Sequence, residues 1–232
     1  MIPKVLQKHI AERTNYSRRQ AEELIRKGKV SVNNKIAEPG QKVAEEDVVR
    51  IGRKDLQKKT CPIYIKLNKP KGYTCTTRKF KNELNVFDLV DVKEKLFLVG
   101  RLDKDSRGLV ILTNDGDWAN KITHPSFRHE KEYRVKIKNQ NAKIKENIEE
   151  KFLKGIDIGE GDGLVRAKKV EQINDNTFKI ILTQGKKRQV RRMFKVLGLD
   201  VKDLKRIRVD GVNLGDLTEG KWEFLKESEL EK

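Results

Sequence analysis

The chain reads Gly100-Arg101-Leu102-Asp103-Lys104-Asp105-Ser106-Arg107-Gly108 between two apolar runs, Phe97-Leu98-Val99 and residues 109–113. Short runs rich in leucine and β-branched residues predict two strands, and the polar segment between them predicts a strand-to-strand connection. Asp103 then lies close to a strand end, where a rigid backbone can hold a reactive group in place. We therefore expect a carboxylate that is exposed, anchored and close to a cation.

Other apolar runs predict where the remaining elements of this part of the chain lie. The predicted strands are residues 63–67, 96–99, 109–113, 133–138 and 178–183, and the predicted helices are residues 118–123, 142–154 and 190–197. Because strands outnumber helices and do not alternate regularly with them, the pattern indicates an α+β domain and argues against a doubly wound parallel sheet.

The first fifty residues have a different pattern. Helical spacing predicts one helix over residues 5–10 and a second that begins near Ser17, where Ser17 and Gln20 can form a capping box, and ends at Gly28. Two short strands are predicted at residues 30–32 and 47–51. This order of elements indicates a small helix-helix-β domain.

A polar tether separates the two folding units. Residues 52–60 lack apolar periodicity and carry several lysines, which is typical of a linker. We predict an N-terminal domain at residues 1–53, a linker at residues 54–62 and a larger domain at residues 63–232.

The composition indicates the class of partner. The 232 residues include 53 Lys and Arg against 35 Asp and Glu, a formal net charge of +18, so RNA, DNA and an anionic membrane are the candidates. No apolar run approaches the roughly 20 residues that span a bilayer, and the N-terminus lacks an apolar signal sequence. The two cysteines, Cys61 and Cys75, have no metal-binding spacing, so we expect a reducing compartment, the cytoplasm.

Two other kinds of site begin with a similar pair of aspartates. A calcium loop would need an oxygen ligand where Arg107 stands and a bidentate glutamate where Asn114 stands, which argues against calcium. A phosphatase nucleophile pair would consist of Asp103 and Asp105, but those enzymes carry a small or β-branched residue at the position of Arg107. The remaining alternative is an ordinary loop carboxylate paired with a neighbouring cation.

Residues 99–117 carry a longer pattern around the aspartate. Its members are Asp103, Ser106, Gly108, Leu109 and the turn Thr113-Asn114-Asp115-Gly116. This run resembles the signature of the RsuA-type ribosomal RNA pseudouridine synthases. The resemblance implies a catalytic domain with a mostly antiparallel mixed sheet flanked by helices, and an enzyme that isomerises a uridine of ribosomal RNA.

The N-terminal segment carries a second resemblance, which covers about fifty residues. It rests on Ser17-Arg18-Arg19, Ala21, Leu24-Ile25, Gly28 and Val30-Val32-Asn33. These residues resemble the compact RNA-binding module first known from ribosomal protein S-four. The alternative is an amphipathic helix whose basic face is only solvated.

In the synthase family the aspartate of this motif is the nucleophile, which implies that role for Asp103. The reaction breaks the glycosidic bond, rotates the uracil while it is held, and forms a carbon–carbon bond without redox change. It requires neither a metal nor a cofactor. A carboxylate suits such a step, as it does in glycoside hydrolysis, and whether it attacks the sugar or the base stays open.

Two further residues complete the implied catalytic set. Tyr133 matches the family tyrosine that packs against the target uracil, although a tyrosine on one face with Val135 and Ile137 is also what an ordinary core would hold. A motif at residues 184–194 leads from a strand into a basic helix, and by its alignment Arg191 pairs with Asp103 and keeps it ionised.

Basic residues near these motifs are the candidate RNA contacts. The predicted set is Arg18, Arg19, Arg26, Lys27, Lys69, Lys71, Arg101, Arg188 and Arg192. A base inside folded RNA must leave its stack to reach Asp103, and the resemblance places Arg101 near the vacated space. The expected partner is structured RNA, as ribosomal RNA or a pre-ribosomal particle, with no membrane and with a monomer as the default state.

Three runs of the sequence look closest to the large-subunit members of this family: residues 100–106, 129–133 and 188–192. This resemblance favours large-subunit ribosomal RNA as the substrate. Small-subunit or transfer RNA synthases are alternatives. Two other classes also remain: a non-catalytic RNA-binding or ribosome-assembly factor, and an aspartate-dependent hydrolase that would require a metal and ignore RNA.

Overall fold

The computed structural model describes residues 3–56, 61–78, 80–138 and 147–230. The chain folds as two compact units. One unit holds Met1–Pro62 with Asn114–Gly116, and the other holds Ile63–Thr113 with Asp117–Lys232.

The N-terminal unit is built from two helices and short strands. Its elements are β1 (Lys4–Val5), α1 (Leu6–Ala11), α2 (Arg18–Arg26), β2 (Val30–Val32), β3 (Lys35–Ile36), β4 (Lys42–Val43), β5 (Val49–Ile51) and β6 (Lys54–Asp55). Four strands form an antiparallel sheet in the order β3-β2-β5-β6, and β1 pairs with β4. The core lies between helices and strands and includes Leu6, Ile10, Ala21, Ile25, Val30 and Val49.

Helix α2 begins and ends as its sequence predicts. The hydroxyl of Ser17 accepts from the backbone N–H of Gln20 at 3.2 Å, and the Gln20 side chain accepts from the N–H of Ser17 at 2.8 Å. This reciprocal capping box is confirmed. Gly28 follows the helix with a φ of +65°, a left-handed conformation that glycine adopts at little cost.

Two boundaries of this unit differ from the prediction. The closing strand begins at Val49, because the Asp47 carboxylate accepts from the Asn33 side chain and from the Ala44 N–H and so belongs to a turn. Lys54–Asp55, predicted as the start of the linker, instead forms β6 opposite β5. Residues 57–60 of the predicted linker lie outside the described residues.

The larger unit contains most of the strands. They are β7 (Tyr64–Lys69), β8 (Phe97–Val99), β9 (Arg107–Thr113), β10 (Lys131–Ile137), β11 (Ile156–Asp157), β12 (Leu164–Val165), β13 (Lys169–Asn174), β14 (Thr177–Leu182), β15 (Val201–Val209), β16 (Val212–Asn213) and β17 (Trp222–Phe224). The helices are α3 (Gly116–Thr123), α4 (Ile148–Lys154), α5 (Gln189–Val196) and α6 (Glu227–Leu230), with 3₁₀ turns at Val86–Leu89 and Pro125–Phe127.

One large sheet organises this unit. Within the described residues its strand order is β13-β14-β10-β15-β9-β7-β17, with β8 on β9 and β16 on β15. All these pairs are antiparallel except β15 with β9, which are parallel. The architecture is therefore α+β with a mostly antiparallel mixed sheet, as predicted.

Strand β15 is the main element that the sequence analysis missed. Its sequence is Val-Lys-Asp-Leu-Lys-Arg-Ile-Arg-Val. Five of these nine residues are charged, so the strand lacks the clear apolar alternation that predicts a half-buried strand. Yet it lies between β10 and β9 in the middle of the sheet. Helix α4 begins at Ile148, and residues 142–146 of the predicted helix lie outside the described residues.

Across the described ranges, the structure contains no helix with the length and apolar character that crossing a bilayer demands.

Candidate active site

Asp103 lies where the sequence predicts, in the connection between β8 and β9. Gly100 has a φ of +77° and begins the turn, and the N–H of Ser106 donates to the carbonyl of Asp103 at 3.0 Å. Arg107 and Gly108, predicted as loop, already belong to β9. The Asp103 side chain is 34% exposed, so its carboxylate is accessible from outside.

Gly108 is required by a close approach of two backbones. Its φ is +102°, and a Cβ at this position would lie 2.3 Å from the carbonyl oxygen of Arg206 and 2.8 Å from the backbone nitrogen of the same residue. Only glycine lets β15 pack this closely against the start of β9. The resemblance already singled out this glycine, and the packing supplies the physical reason.

Lys69 binds the backbone of the turn that carries Asp103. Its side chain is fully buried, and Nζ donates to the carbonyls of Ser106 at 2.6 Å, Pro70 at 3.0 Å and Asp103 at 3.2 Å. Burial lowers the pKa of the Lys69 ammonium. The prediction that Lys69 contacts RNA is therefore wrong in this structure, because backbone carbonyls surround its charge.

Two arginines of the basic helix bind Asp105. Arg188 donates from both terminal nitrogens to the two carboxylate oxygens at 2.9 Å. Arg191 Nε lies 3.2 Å from an oxygen of Asp105, and Arg191 Nη2 donates to the backbone carbonyl of Asp105 at 2.9 Å. These interactions tie α5 to the turn that carries Asp103.

The expected pair of Arg191 with Asp103 is replaced by a different arrangement. The cation that pairs with Asp103 is Arg188, whose Nη1 lies 3.9 Å from Oδ2, whereas Arg191 binds Asp105. Arg188 stands at the N-terminal end of α5 with a left-handed φ of +51°, three residues before Arg191. Hydrogen bonding from Arg188 lowers the pKa of Asp105, and burial lowers the pKa of Arg191.

The guanidinium of Arg192 is bound by protein groups. Its guanidinium donates to the Ile158 carbonyl at 3.0 and 2.7 Å and to Asp162 at 2.6 Å, and it also bonds the Gly159 carbonyl. These bonds fasten the turn between β11 and β12 to α5. Protein groups occupy its donors in this arrangement, and the role of Arg192 as an RNA contact stays a prediction.

Tyr133 lies near the start of β10 and is buried in the main core of the unit. Leu102, which precedes Asp103, belongs to the same core cluster. Val135 and Ile137 share the strand face of Tyr133 and are also buried there. The structure thus places Tyr133 in the apolar cluster that also receives the turn, and its ring contributes to that core.

Lys71 and Arg101 differ in how their charges are paired. Lys71 is exposed, and its Nζ lies 2.6 Å from Asp203. The Asp203 carboxylate also accepts three hydrogen bonds from Nε and Nη2 of Arg107, at 2.8 to 3.1 Å. Although burial opposes it, hydrogen bonding from Arg107 and Lys71 lowers the pKa of Asp203 to about 2. Arg101 is exposed and makes no ion pair within the described ranges.

The basic residues of α2 also fall into two pairs. Arg18 and Arg19 are exposed on the first turn of the helix. Arg26 and Lys27 are exposed too, but each is bound to a glutamate one turn earlier, at 2.8 Å from Glu22 and 2.5 Å from Glu23. Their charges are partly neutralised, whereas those of Arg18 and Arg19 face solvent.

Together these interactions hold the turn of Asp103 through several hydrogen bonds and leave the Asp103 carboxylate accessible. Lys69 binds its backbone, and Arg188 and Arg191 clamp the neighbouring Asp105. In the described part of the chain, His, Cys, Asp and Glu side chains form no group of three that could hold a metal ion. The Asp103 carboxylate is therefore held on a bonded turn while it stays accessible.

Comparison with known proteins identifies the family. The family model described as RNA pseudouridylate synthase matches residues 63–195, and the S4 domain model matches residues 6–49. A crystal structure of a pseudouridylate synthase superposes with a TM-score of 0.70 at 32% identity and covers 97% of each chain.

Curated relatives agree with these matches. The dual-specificity RNA pseudouridine synthase RluF of Escherichia coli is 38% identical over 97% of this chain and 76% of its own length. The ribosomal large subunit pseudouridine synthase B of Bacillus subtilis is 35% identical over 92% of this chain and 91% of its own. The chain therefore belongs to the RNA pseudouridine synthases, in the RsuA-type branch whose synthase domain follows an S4 RNA-binding domain.

Proposed function

We propose that this enzyme converts a specific uridine of large-subunit ribosomal RNA to pseudouridine, with Asp103 as the nucleophile. The observation that carries the proposal is the accessible Asp103 carboxylate, held on a bonded turn with Arg188 3.9 Å away. A carboxylate can serve as a nucleophile, and the guanidinium of Arg188 supplies an opposite charge beside it.

The proposed reaction needs a nucleophile, Asp103, and a residue that holds the detached uracil, Tyr133. The carboxylate of Asp103 bonds the substrate while the C1′–N1 bond breaks, and the detached uracil turns so that C5 bonds C1′. The bond between Asp103 and the substrate then breaks, which returns the free carboxylate. The C5 hydrogen leaves as a proton, and N1 acquires one. Tyr133 lies in the core cluster that receives the turn, and we propose that its ring packs against the uracil while water is kept away.

We further propose how the chain divides this work. The N-terminal domain, residues 1–53 as predicted and extended to Asp55 by β6, grips the RNA, and the domain from residue 63 onward performs the chemistry. Arg18, Arg19 and Arg101 are proposed to contact phosphate directly, because they are exposed. Arg26, Lys27, Lys71 and Arg188 are proposed to do so by exchanging a carboxylate partner for phosphate.

The substrate assignment rests on relatives. The Bacillus subtilis relative is named for the large ribosomal subunit, and the Escherichia coli relative is named for dual specificity. We therefore propose large-subunit RNA as the main substrate and a second RNA as an additional one. A cytoplasmic monomer that acts on free RNA or on a pre-ribosomal particle is the proposed context.

Tritium release tests the substrate and the nucleophile together. Ribosomal RNA labelled at uracil C5 releases its label only on isomerisation, so large-subunit RNA should release it faster than small-subunit RNA, with transfer RNA as the third substrate. The Asp103→Asn variant should release none while its RNA affinity stays within about threefold, because the carboxylate is needed for the bond-forming step.

Asp105→Asn is the matched control, since it also removes a carboxylate from the same turn. It should retain measurable turnover, because the Asp105 carboxylate is bound by Arg188 and Arg191. Full activity of Asp103→Asn would remove Asp103 from the mechanism. Equal release from both ribosomal RNAs would refute the proposed preference.

A further inference from the structure

Arg206 is a buried cation in the middle of β15 that no motif singled out. Its side chain is 2% exposed. Nε donates to the carbonyl of Leu109 at 2.8 Å, and Nη1 lies 3.5 Å from the carbonyl of Arg101. Nη2 is buried and has no hydrogen-bond acceptor in the described part of the chain.

Such a group is costly to keep in a core. Removing a cation from water costs several kcal/mol, and neutral carbonyls offset only part of that cost. The bonds that Arg206 makes within the described residues are to backbone carbonyls, without a carboxylate. An apolar side chain of similar volume would stabilise this position at least as well, so stability alone does not account for the arginine.

The register of the sheet shows what Arg206 lies between. Its direct neighbour on β10 is Tyr133, and its direct neighbour on β9 is Gly108. Directly opposed residues of antiparallel strands project from one face of the sheet, so Arg206 and Tyr133 lie side by side. On the other side, a Cβ on Gly100 would be 3.8 Å from Arg206 Nη1.

We propose that Arg206 is a positioning residue that sets the distance between Asp103 and Tyr133. It reaches from the strand beside Tyr133 to the carbonyl of Arg101, two residues before Asp103, and to Leu109 on the strand that follows the turn. This inference rests on the proposed role of Asp103 as the nucleophile.

The fork of the guanidinium suits this task. Two nitrogens of one rigid plane bond two carbonyls that are eight residues apart in sequence, so the positions of Arg101 and Leu109 are fixed relative to each other. A lysine would keep the charge, but its one nitrogen cannot occupy the Nε and Nη1 positions at the same time, so it cannot reproduce the planar contacts to these two carbonyls. Charge and position can therefore be separated by substitution.

The test compares Arg206→Lys with Arg208→Gln in the full chain. Arg208 is on the same strand, is mostly buried, and binds Glu130 and Glu132 at 2.8 Å rather than the turn. Both variants are measured for thermal midpoint, RNA affinity and the single-turnover rate of tritium release from C5-labelled ribosomal RNA. Asp103→Asn is measured in the same series.

We expect the single-turnover rate of Arg206→Lys to fall by roughly ten- to one-hundredfold, because a displacement of about 1 Å at a reacting group can cost about 10²-fold. Its RNA affinity should stay within about threefold. Arg208→Gln should keep its rate within about threefold at a similar loss of thermal midpoint. Equal rates in the two variants would overturn the proposal.

Cys75 reports the position of the turn without any reaction. Its buried thiol lies beside the backbone N–H of Leu102, and burial raises the pKa of this thiol. With Cys61→Ser removing the exposed thiol, Arg206→Lys should increase the rate at which a disulfide reagent modifies Cys75, whereas Arg208→Gln should not.

The two proposals fail in different ways. If Asp103→Asn retains activity, the role of Asp103 is refuted, and the thiol reactivity of Cys75 still shows whether Arg206 holds the turn. If Asp103→Asn is inactive and Arg206→Lys releases tritium at the same rate as Arg208→Gln, Arg206 has no positioning role.

Discussion

Lys69 is the residue at which expectation and structure differ most. The sequence places this lysine before a Pro-Gly turn and suggests a cation in an RNA cleft, but the fold surrounds its ammonium with the carbonyls of Ser106, Pro70 and Asp103. A basic residue in an RNA-modifying enzyme can thus serve the protein backbone instead of the nucleic acid. In this structure its Nζ bonds the backbone of the turn that carries Asp103.

Replacing Lys69 by methionine should lower the free energy of unfolding by about 2 kcal/mol, because buried carbonyls lose a charged donor. The turn should move, so the rate of tritium release should fall, while the slope of RNA affinity against salt concentration stays unchanged. Urea unfolding and binding titrations at several salt concentrations measure these effects.

Lys71→Met is the control for Lys69→Met. Lys71 is exposed and paired with Asp203, so its loss should cost no more than about 1 kcal/mol. A salt slope that falls by about one in Lys69→Met would contradict the structure, since that is the effect of leaving one phosphate without its cation.

At the scale of elements, the pairing of β9 with β15 is the parallel seam of the large sheet. Its backbone register comprises two residue pairs, Lys205 with Arg107 and Arg206 with Gly108. Side chains reinforce this short ladder, because Arg107 forks onto Asp203 and Lys71 binds the same carboxylate. The seam lies next to the candidate site, because β9 begins directly after the turn of Asp103.

Asp203→Asn should therefore destabilise the protein by about 2 kcal/mol at pH 7, since the pKa of Asp203 falls from 3.8 to about 2 on folding. An aspartate with a lowered folded-state pKa stabilises the protein above its unfolded pKa, and this contribution disappears as pH falls through the folded value. The difference between variant and parent in urea unfolding should shrink from about pH 4 towards pH 2.

Asp200→Asn provides the comparison at the entrance to β15. Asp200 is more exposed and lies 3.6 Å from Lys195, so its removal should cost less than about 1 kcal/mol. If the Asp203→Asn difference stayed constant over this pH range, the seam would not depend on the ionised carboxylate.

For the whole molecule, the net charge of +18 predicts strong and salt-dependent RNA binding. The structure shows that not all of this charge is equally available. Lys69, Arg192 and Arg206 are bound to backbone carbonyls or form ion pairs within the protein, whereas Arg18 and Arg19 are exposed. Affinity should therefore follow the unpaired surface cations rather than the total count.

Replacing Arg18 and Arg19 together by alanine should weaken RNA binding and reduce the slope of log K against log salt by up to about two, one for each phosphate that is no longer neutralised. Binding titrations over a range of salt concentrations measure that slope. The rate of tritium release at saturating RNA should change little, because these residues lie outside the matched synthase region.

Arg26→Ala with Lys27→Ala is the matched pair on the same helix. These two residues are already bound to Glu22 and Glu23, so the reduction in slope should be smaller than for Arg18 and Arg19. If the Arg26→Ala and Lys27→Ala variant instead lost more of the slope than the Arg18 and Arg19 variant, the RNA-binding residues would lie at the C-terminal end of α2.

Local sequence was sufficient for much of the fold. The capping box of Ser17, the end of α2 at Gly28 and the connection that carries Asp103 all follow from interactions among neighbours a few positions apart. Strand β15 was missed because its position in the sheet depends on partners in β9 and β10, while its own residues are mostly charged.

The sequence alone determined the family signature, the α+β class and the position of Asp103 between two strands, because these depend on short-range patterns. The tertiary structure decided what each basic side chain does. Whether a cation meets water, a carboxylate or a carbonyl depends on residues far away in the chain: Lys69 reaches Ser106 across 37 positions, and Arg206 reaches Leu109 across 97. No local pattern encodes those distances, since the folded sheet alone brings the groups together.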